Sequence, residues 1–144
     1  MPILSEDETA ERARCVVVVD RALPAGKAAN AAAVIALTLG KRHPHLAGAD
    51  LVDASGVRHP GLIHIGIAIL TAPSPDLGAI REKAVKRGLD VVDFPVQGQE
   101  TTNYSELGDR VSRISPEDML YIGIGLFGGH KDVGRVAGSL PLLR

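Results

Sequence analysis

The residues best placed to do chemistry start at Gly26-Lys27, directly behind the hydrophobic run Cys15-Val16-Val17-Val18-Val19. They open the apolar stretch from Ala28 to Leu37, whose one polar residue is Asn30. A helix N-terminus leaves backbone N–H groups unpaired and carries partial positive charge, so Gly26 and Lys27 there form a cradle for an anion or a carbonyl oxygen. A second polar group, Gln97, Gly98, Gln99, Glu100, Thr101 and Thr102, runs on into Asn103 and Tyr104. Its amides and hydroxyls suit hydrogen-bonded recognition better than proton transfer. Residues for base or metal chemistry are sparse. His43 and His45, with Asp50 nearby, lack a metal-ligand spacing and are expected in a solvated loop. Cys15, inside a valine run, reads as a buried thiol with nothing beside it to lower its pKa. His64, among isoleucines, is expected to be a hydrogen-bonded core histidine, and His130 to lie in a loop or at a helix start. The phrase Gly123-Ile124-Gly125-Leu126-Phe127-Gly128 has dinucleotide-type glycine spacing, but no βαβ unit can close around it before Arg144. Neither a metal nor a cofactor is expected.

Elements must hold these groups in place. Arg14 to Asp20 is a continuous apolar run, the mark of a strand covered on both faces. The alanine-rich helix follows from about Ala25 to Leu39 and stops before His43-Pro44, because the residue before proline is pushed out of helical geometry. Leu51 to Val57 reads as a short ribbon around a Ser-Gly turn, and Gly61 to Leu70 as a central strand rich in β-branched residues. Ser74-Pro75-Asp76 is a helix start with serine as the cap; Leu77, Ile80, Ala84 and Val85 form its apolar stripe, and Gly88 ends it. Leu89 to Phe94 supplies another strand, Tyr104 to Ile114 another helix and Met119 to Phe127 a last strand before the tail Val133 to Leu143. Glycines in Ile65-Gly66-Ile67 and Ile122-Gly123-Ile124 predict that the first helix packs closely on those strands. Strands alternating with helices define an α/β protein around a mixed sheet.

A chain of 144 residues suits one domain, residues 14–144, behind an acidic N-terminal tail, residues 1–13. That tail lacks a basic region followed by an apolar core, so it is not read as a signal peptide. The longest apolar helix falls short of the roughly 20 residues that cross a bilayer, so a cytoplasmic protein with no membrane contact is expected. The formal net charge is −1. With Glu6, Asp7, Glu8 and Glu11 set aside, 13 acids face 16 basic residues, a mildly basic balance. Lys41, Arg42, His43 and His45 make one small basic face, and Arg81, Lys83, Lys86 and Arg87 another. Dedicated nucleic-acid binders are far more basic and richer in exposed aromatics, so RNA is only weakly supported as a partner.

The order of strand, Gly-Lys-Ala-Ala helix, later strand, amphipathic helix and strand resembles the type 2 peptidyl-tRNA hydrolases. So does the closing phrase Val133-Gly134-Arg135-Val136-Ala137-Gly138-Ser139-Leu140-Pro141-Leu142-Leu143. The Ala28-Ala29-Asn30-Ala31-Ala32-Ala33 helix is closer still to an uncharacterised bacterial family, domain-of-unknown-function family two thousand. The resemblance spans most of Arg14 to Leu143 and implies a three-layer α/β/α sandwich with a mixed four-stranded sheet. It also implies a homodimer, a tendency of this fold class. In the hydrolases a glutamine follows the lysine by four residues and a histidine by seven; here those positions are Ala31 and Val34. An Asp-Ala-Gly-Arg-Thr segment is replaced by Val96-Gln97-Gly98-Gln99-Glu100. Lys27 is the candidate catalytic residue that survives, but no carboxylate or imidazole takes the place of the base. The chain is therefore expected to be a non-hydrolytic binding module, with a small ligand at the N-terminus of the first helix. The alternative is an acyl-ester hydrolase, such as a peptidyl-tRNA hydrolase, with a rebuilt site.

Overall fold

The computed structural model describes residues 12–144. The expectations for the acidic tail up to Glu11 lie outside the described residues. In chain order come β1 (Ala13–Asp20), α1 (Ala25–Arg42), β2 (Leu51–Val52), β3 (Arg58–His59), β4 (Ile67–Ala72) and α2 (Ser74–Lys86). They are followed by β5 (Asp90–Pro95), α3 (Gln97–Glu100), α4 (Tyr104–Ser112), β6 (Tyr121–Gly129) and α5 (His130–Ala137). β1 through α1 repeats the expected strand and helix to within a few residues, and the short β2–β3 hairpin is the expected ribbon.

Four strands form a mixed sheet in the order β4-β1-β6-β5. β4 runs parallel to β1, and β6 runs antiparallel to both β1 and β5, so three strands point one way and β6 opposes them. Cys15 to Val19 are all buried because β1 has strands on both sides and helices over both faces. α1 covers one face through Ala28, Ala31, Ile35 and Leu39. α2 and α5 cover the other through Leu77, Ile80, Ala84, Val133 and Val136. The result is three layers.

The α1 layer sits low on the sheet because β6 has no side chains beneath it at two points. A Cβ at Gly125 would collide with Ile35 and lie 2.9 Å from Leu39 Cδ1, and one at Gly123 would lie 2.9 Å from Ile35 Cδ1. The expected close approach is present at Ile122-Gly123-Ile124. At Gly66 a Cβ would meet nothing within 4 Å, so that echo has no packing role.

Three further expectations change. Regular strand structure begins at Ile67 rather than Gly61, and β4 lies at the margin of the sheet, not its centre. Gly61 to Gly66 runs beside the loop after α1, where Gly48 N–H donates to Leu62 C=O at 2.8 Å and His64 N–H to Leu46 C=O at 2.9 Å. His64 is exposed rather than in the core. β4 reads as central because its outer side is covered by the chain's own end: Thr71 N–H donates to Pro141 C=O (2.8 Å) and Leu143 N–H to Ile69 C=O (2.9 Å). At α2, Pro73 rather than Ser74 occupies the capping position and makes no side-chain cap bond, while Val85 points to solvent. Gly88 does end α2, in the left-handed conformation at φ 74° that favours glycine.

Candidate functional site

β1, β4 and β5 all end on the same rim of the sheet, at Asp20, Ala72 and Pro95. In open α/β sheets this carboxyl rim is where ligands bind. Asp20 builds the turn into α1: its Oδ1 accepts from Ala22 N–H at 3.0 Å and its C=O from Leu23 N–H at 3.1 Å. Pro24, extended at φ −61°, then sets α1 off at the rim. No side chain caps α1 and no acid stands in its first turn, so its N–H dipoles and positive end stay uncompensated.

The chain brings the two halves of the candidate site together here. Gln99 Nε2 donates to Lys27 C=O in a long contact of 3.5 Å, which ties α3 to the start of α1. Gly98 lies on the Phe94 ring so closely that a Cβ would strike it at 2.6 Å, which fixes α3 over the end of β5. Thr101 Oγ1 donates to Gln97 C=O at 3.3 Å and closes the turn. Lys27, Asn30 and Thr102 are exposed. Among the described residues the Lys27 ammonium and the Asn30 amide have no partner, so the Asn30 side chain does not tie a loop to the helix. Gly26 is also exposed, with space around it. Gln97 Oε1 is sealed from solvent with no donor among the described residues, an arrangement that native structures seldom leave unfilled. Glu100, the one carboxylate among the candidate site residues, is engaged by Arg110 at 3.2 Å. It stands in an exposed ion pair.

From this rim an open groove of about 560 Å³ runs between α1, the outer side of β5, and α4. Asn30, Val34 and Thr38 form its α1 wall, Val92, Asp93 and Phe94 its floor, and Tyr104, Leu107 and Val111 its α4 wall. Its volume is within the roughly 300–1,000 Å³ typical of small-molecule sites. α4 explains why it stays open. Asn103 caps that helix by accepting from Glu106 N–H at 3.2 Å, and Arg110 bonds Glu106 at 3.0 Å. No residue of α4 is buried, so its apolar face looks across the groove instead of into the core. The sequence reading missed this wall. Tyr104, Leu107 and Val111 at helical spacing, opposite Asn30, Val34 and Thr38 at the same spacing, were the available signal.

The opposite rim is built differently. Arg42 grips Asp90 with two bonds, Nε to Oδ2 and Nη2 to Oδ1, each 2.8 Å, and His43 Nε2 sits 2.6 Å from Oδ2. The His43 ring rests on Phe127, centroids 4.2 Å apart. His43 is thus a fixed, half-buried partner and not a solvated loop residue. The Arg42 hydrogen bond holds the Asp90 carboxyl below its usual range against the opposing effect of burial. Cys15 lies on the same strand row, paired across to Phe127 as Asp90 is from the other side. With His43 and Leu39 it lines a small cavity of about 150 Å³. Burial pushes the thiol up to about 11, which makes it unreactive. Among the described residues no cluster of three metal-ligating side chains is present. Arg81 is paired with Asp93 (2.7 Å) and Arg87 with Asp132 (3.3 Å), so the basic faces are partly neutralised. His130 is the first residue of α5, as one of its two expected placements has it. No helix among the described residues is long and apolar enough to cross a membrane.

This architecture is similar to that of a solved protein of unknown function from Agrobacterium tumefaciens strain C58. The TM-score is 0.83 at 16% identity, over 91% of this chain and 97% of that one, a likeness that shows a shared fold. Residues 13–144 match the family described as Protein of unknown function (DUF2000), and the chain belongs to that family. No curated protein matches the sequence.

Proposed function

We propose that this protein is a non-hydrolytic binding module, on a scaffold resembling the type 2 peptidyl-tRNA hydrolases, that holds a small ligand in the groove between α1, β5 and α4. The observation that carries this reading is a groove of about 560 Å³, lined mostly by apolar side chains and ending at Asn30, whose amide has no partner among the described residues, while Glu100, the carboxylate among the candidate site residues, is paired with Arg110. Apolar walls supply affinity and a few polar groups supply orientation, the usual division of labour in ligand sites. The test is to purify the protein under native conditions, denature it, and identify co-purifying small molecules by mass spectrometry. The comparison is a Val34→Trp variant that fills the groove from an exposed position. A compound retained by the wild type and lost from the variant supports the reading. Equal retention by both, or a variant and wild type that are both empty while neither responds to a fragment screen, overturns it.

A second reading, an acyl-ester hydrolase acting on peptidyl-tRNA, is favoured by the exposed Lys27 at an uncapped helix start. Such a residue is suited to stabilise a developing oxyanion. Single-turnover hydrolysis of an N-blocked aminoacyl-tRNA, lost in Lys27→Ala, would establish it; absence of cleavage at high protein concentration would remove it.

A further inference from the structure

The two edges of the sheet are finished differently. β4 is bonded along its outer side by Pro141 and Leu143, whereas β5 has β6 as its one strand partner among the described residues. The register shows which backbone groups β5 leaves over. His130 N–H donates to Arg12 C=O at 2.9 Å, one pair beyond the β1–β6 ladder, so the hydrogen-bonded pairs of that ladder are Arg14–Gly128, Val16–Leu126 and Val18–Ile124. Gly123, Gly125 and Phe127 therefore turn their backbone groups toward β5, where they face Phe94, Val92 and Asp90. By the same alternation Val91 and Asp93 direct N–H and C=O away from the sheet, and Pro95 its C=O. None of these groups has a hydrogen-bond partner among the described residues. Asp93 lines the groove, yet its carboxylate is held by Arg81 of α2, which covers the face of the sheet opposite α1, so the groove meets the Asp93 main chain. The usual guards of an edge are weak here. β5 carries no Lys or Arg, Asp90 and Asp93 are committed to arginines, and Pro95 with its register shift blunts only the last position.

We propose that the occupant of the groove is a short peptide in extended conformation, which adds to β5 as a further strand. This rests on the groove being the binding site, and it adds the chemical class of what binds there. The peptide backbone pairs with Val91 and Asp93 at the strand spacing of about 4.8 Å, and alternate side chains fall on the side of Val34 and Phe94. An apolar small molecule in the same place would seal the Asp93 N–H and C=O from water without replacing their hydrogen bonds, which buried backbone groups rarely tolerate. A second copy of this chain does not fit, because its own β5 is recessed between α1 and α4 and two recessed edges cannot meet.

The test uses the full chain, labelled with ¹⁵N and titrated with the peptides Ac-Thr-X-Thr-X-Thr-NH2, where X is Val, Ile, Leu or Phe. In parallel it is titrated with 1-octanol, an apolar probe that cannot pair with a strand. At least one peptide is expected to shift the amides of Val91 and Asp93 together with those of Val34 and Val111. N-methylation of that peptide on one alternation of residues should weaken binding about tenfold, and on the other alternation less than about twofold, because only one set of its N–H groups faces β5. Equal effects of the two methylation patterns, or peptides that bind without moving the Val91 and Asp93 amides, overturn strand addition. So does a dimer of the free protein in sedimentation in which those two amides are protected from exchange, which assigns the edge to a second copy. If 1-octanol shifts Val34 and Val111 and no peptide does, strand addition fails while the groove stands as a site. If no probe shifts those amides, the groove reading fails with it.

Discussion

At the amino rim of the sheet, Arg42, His43 and Asp90 satisfy one another around Phe127, and Cys15 is sealed behind them. At the carboxyl rim, Lys27 and Asn30 stand exposed beside an open groove, with more space. The amino rim holds a cysteine, a histidine and an aspartate, the residue types of nucleophilic catalysis, yet burial raises the thiol pKa and the aspartate is committed to an arginine. Residue type alone would direct attention to the wrong rim. Unpaired groups beside free volume are the better guide, because a binding site needs both.

Substitutions at the two rims should separate these roles. Leu39→Ala, at the packed rim and against Gly125, removes a fully buried side chain and should cost about 2–5 kcal/mol, read by urea unfolding. A smaller loss would mean that α1 is less tightly seated than its contacts indicate. Asp90→Ala strips the partner from Arg42 and His43 and should cost about 1.5–3 kcal/mol, nearer the lower figure because Arg42 is half exposed. The same carboxylate sets a pH dependence. Its pKa is depressed in the folded state, so its contribution is present above the unfolded value near about 4 and is lost as pH falls below that. The thermal midpoint of the wild type should therefore fall more steeply below about pH 4 than that of Asp90→Asn. With the Cys15 thiol at about 11, only about one molecule in a thousand carries thiolate at pH 8, so Ellman's reagent should react only as the chain unfolds. Rapid labelling of the native protein would make the amino rim open and reactive, and the contrast between the rims would collapse. Asn30→Ala, by comparison, should change stability by less than about 0.5 kcal/mol, since its amide is exposed and unpartnered. A large loss there would restore the structural role that its exposure argues against.

Much of this contrast was legible locally. The valine run defines β1, the alanines with Gly123 predict the seating of α1, and Gly88 marks the end of α2. Gly26, Lys27, Asn30 and the Gln97 to Thr102 segment do converge on one rim, through Gln99 and Gly98. What was not legible depends on residues far apart in the chain. Arg42 and His43 meet Asp90 across 48 and 47 positions, and no periodicity announces such a pair. Gly61 to Leu70 misled for a different reason: an apolar run covered on both sides reads as central wherever its cover comes from, and here part of it comes from Pro141 to Leu143. The groove escaped notice because α4 looks like an ordinary amphipathic helix until the absence of a core beneath it is seen.

That short closing strap along β4 has a practical consequence for anyone who handles the protein. Thr71 and Ile69 give their outward backbone groups to Pro141 and Leu143, and the isolated Leu70–Leu142 bridge sits between them. A chain cut after Gly138 would leave an apolar strand margin bare, and bare margins recruit strands from other molecules. Aggregation on concentration, rather than a lower melting point, is the expected symptom of trimming the C-terminus, and a purification tag belongs at the other end.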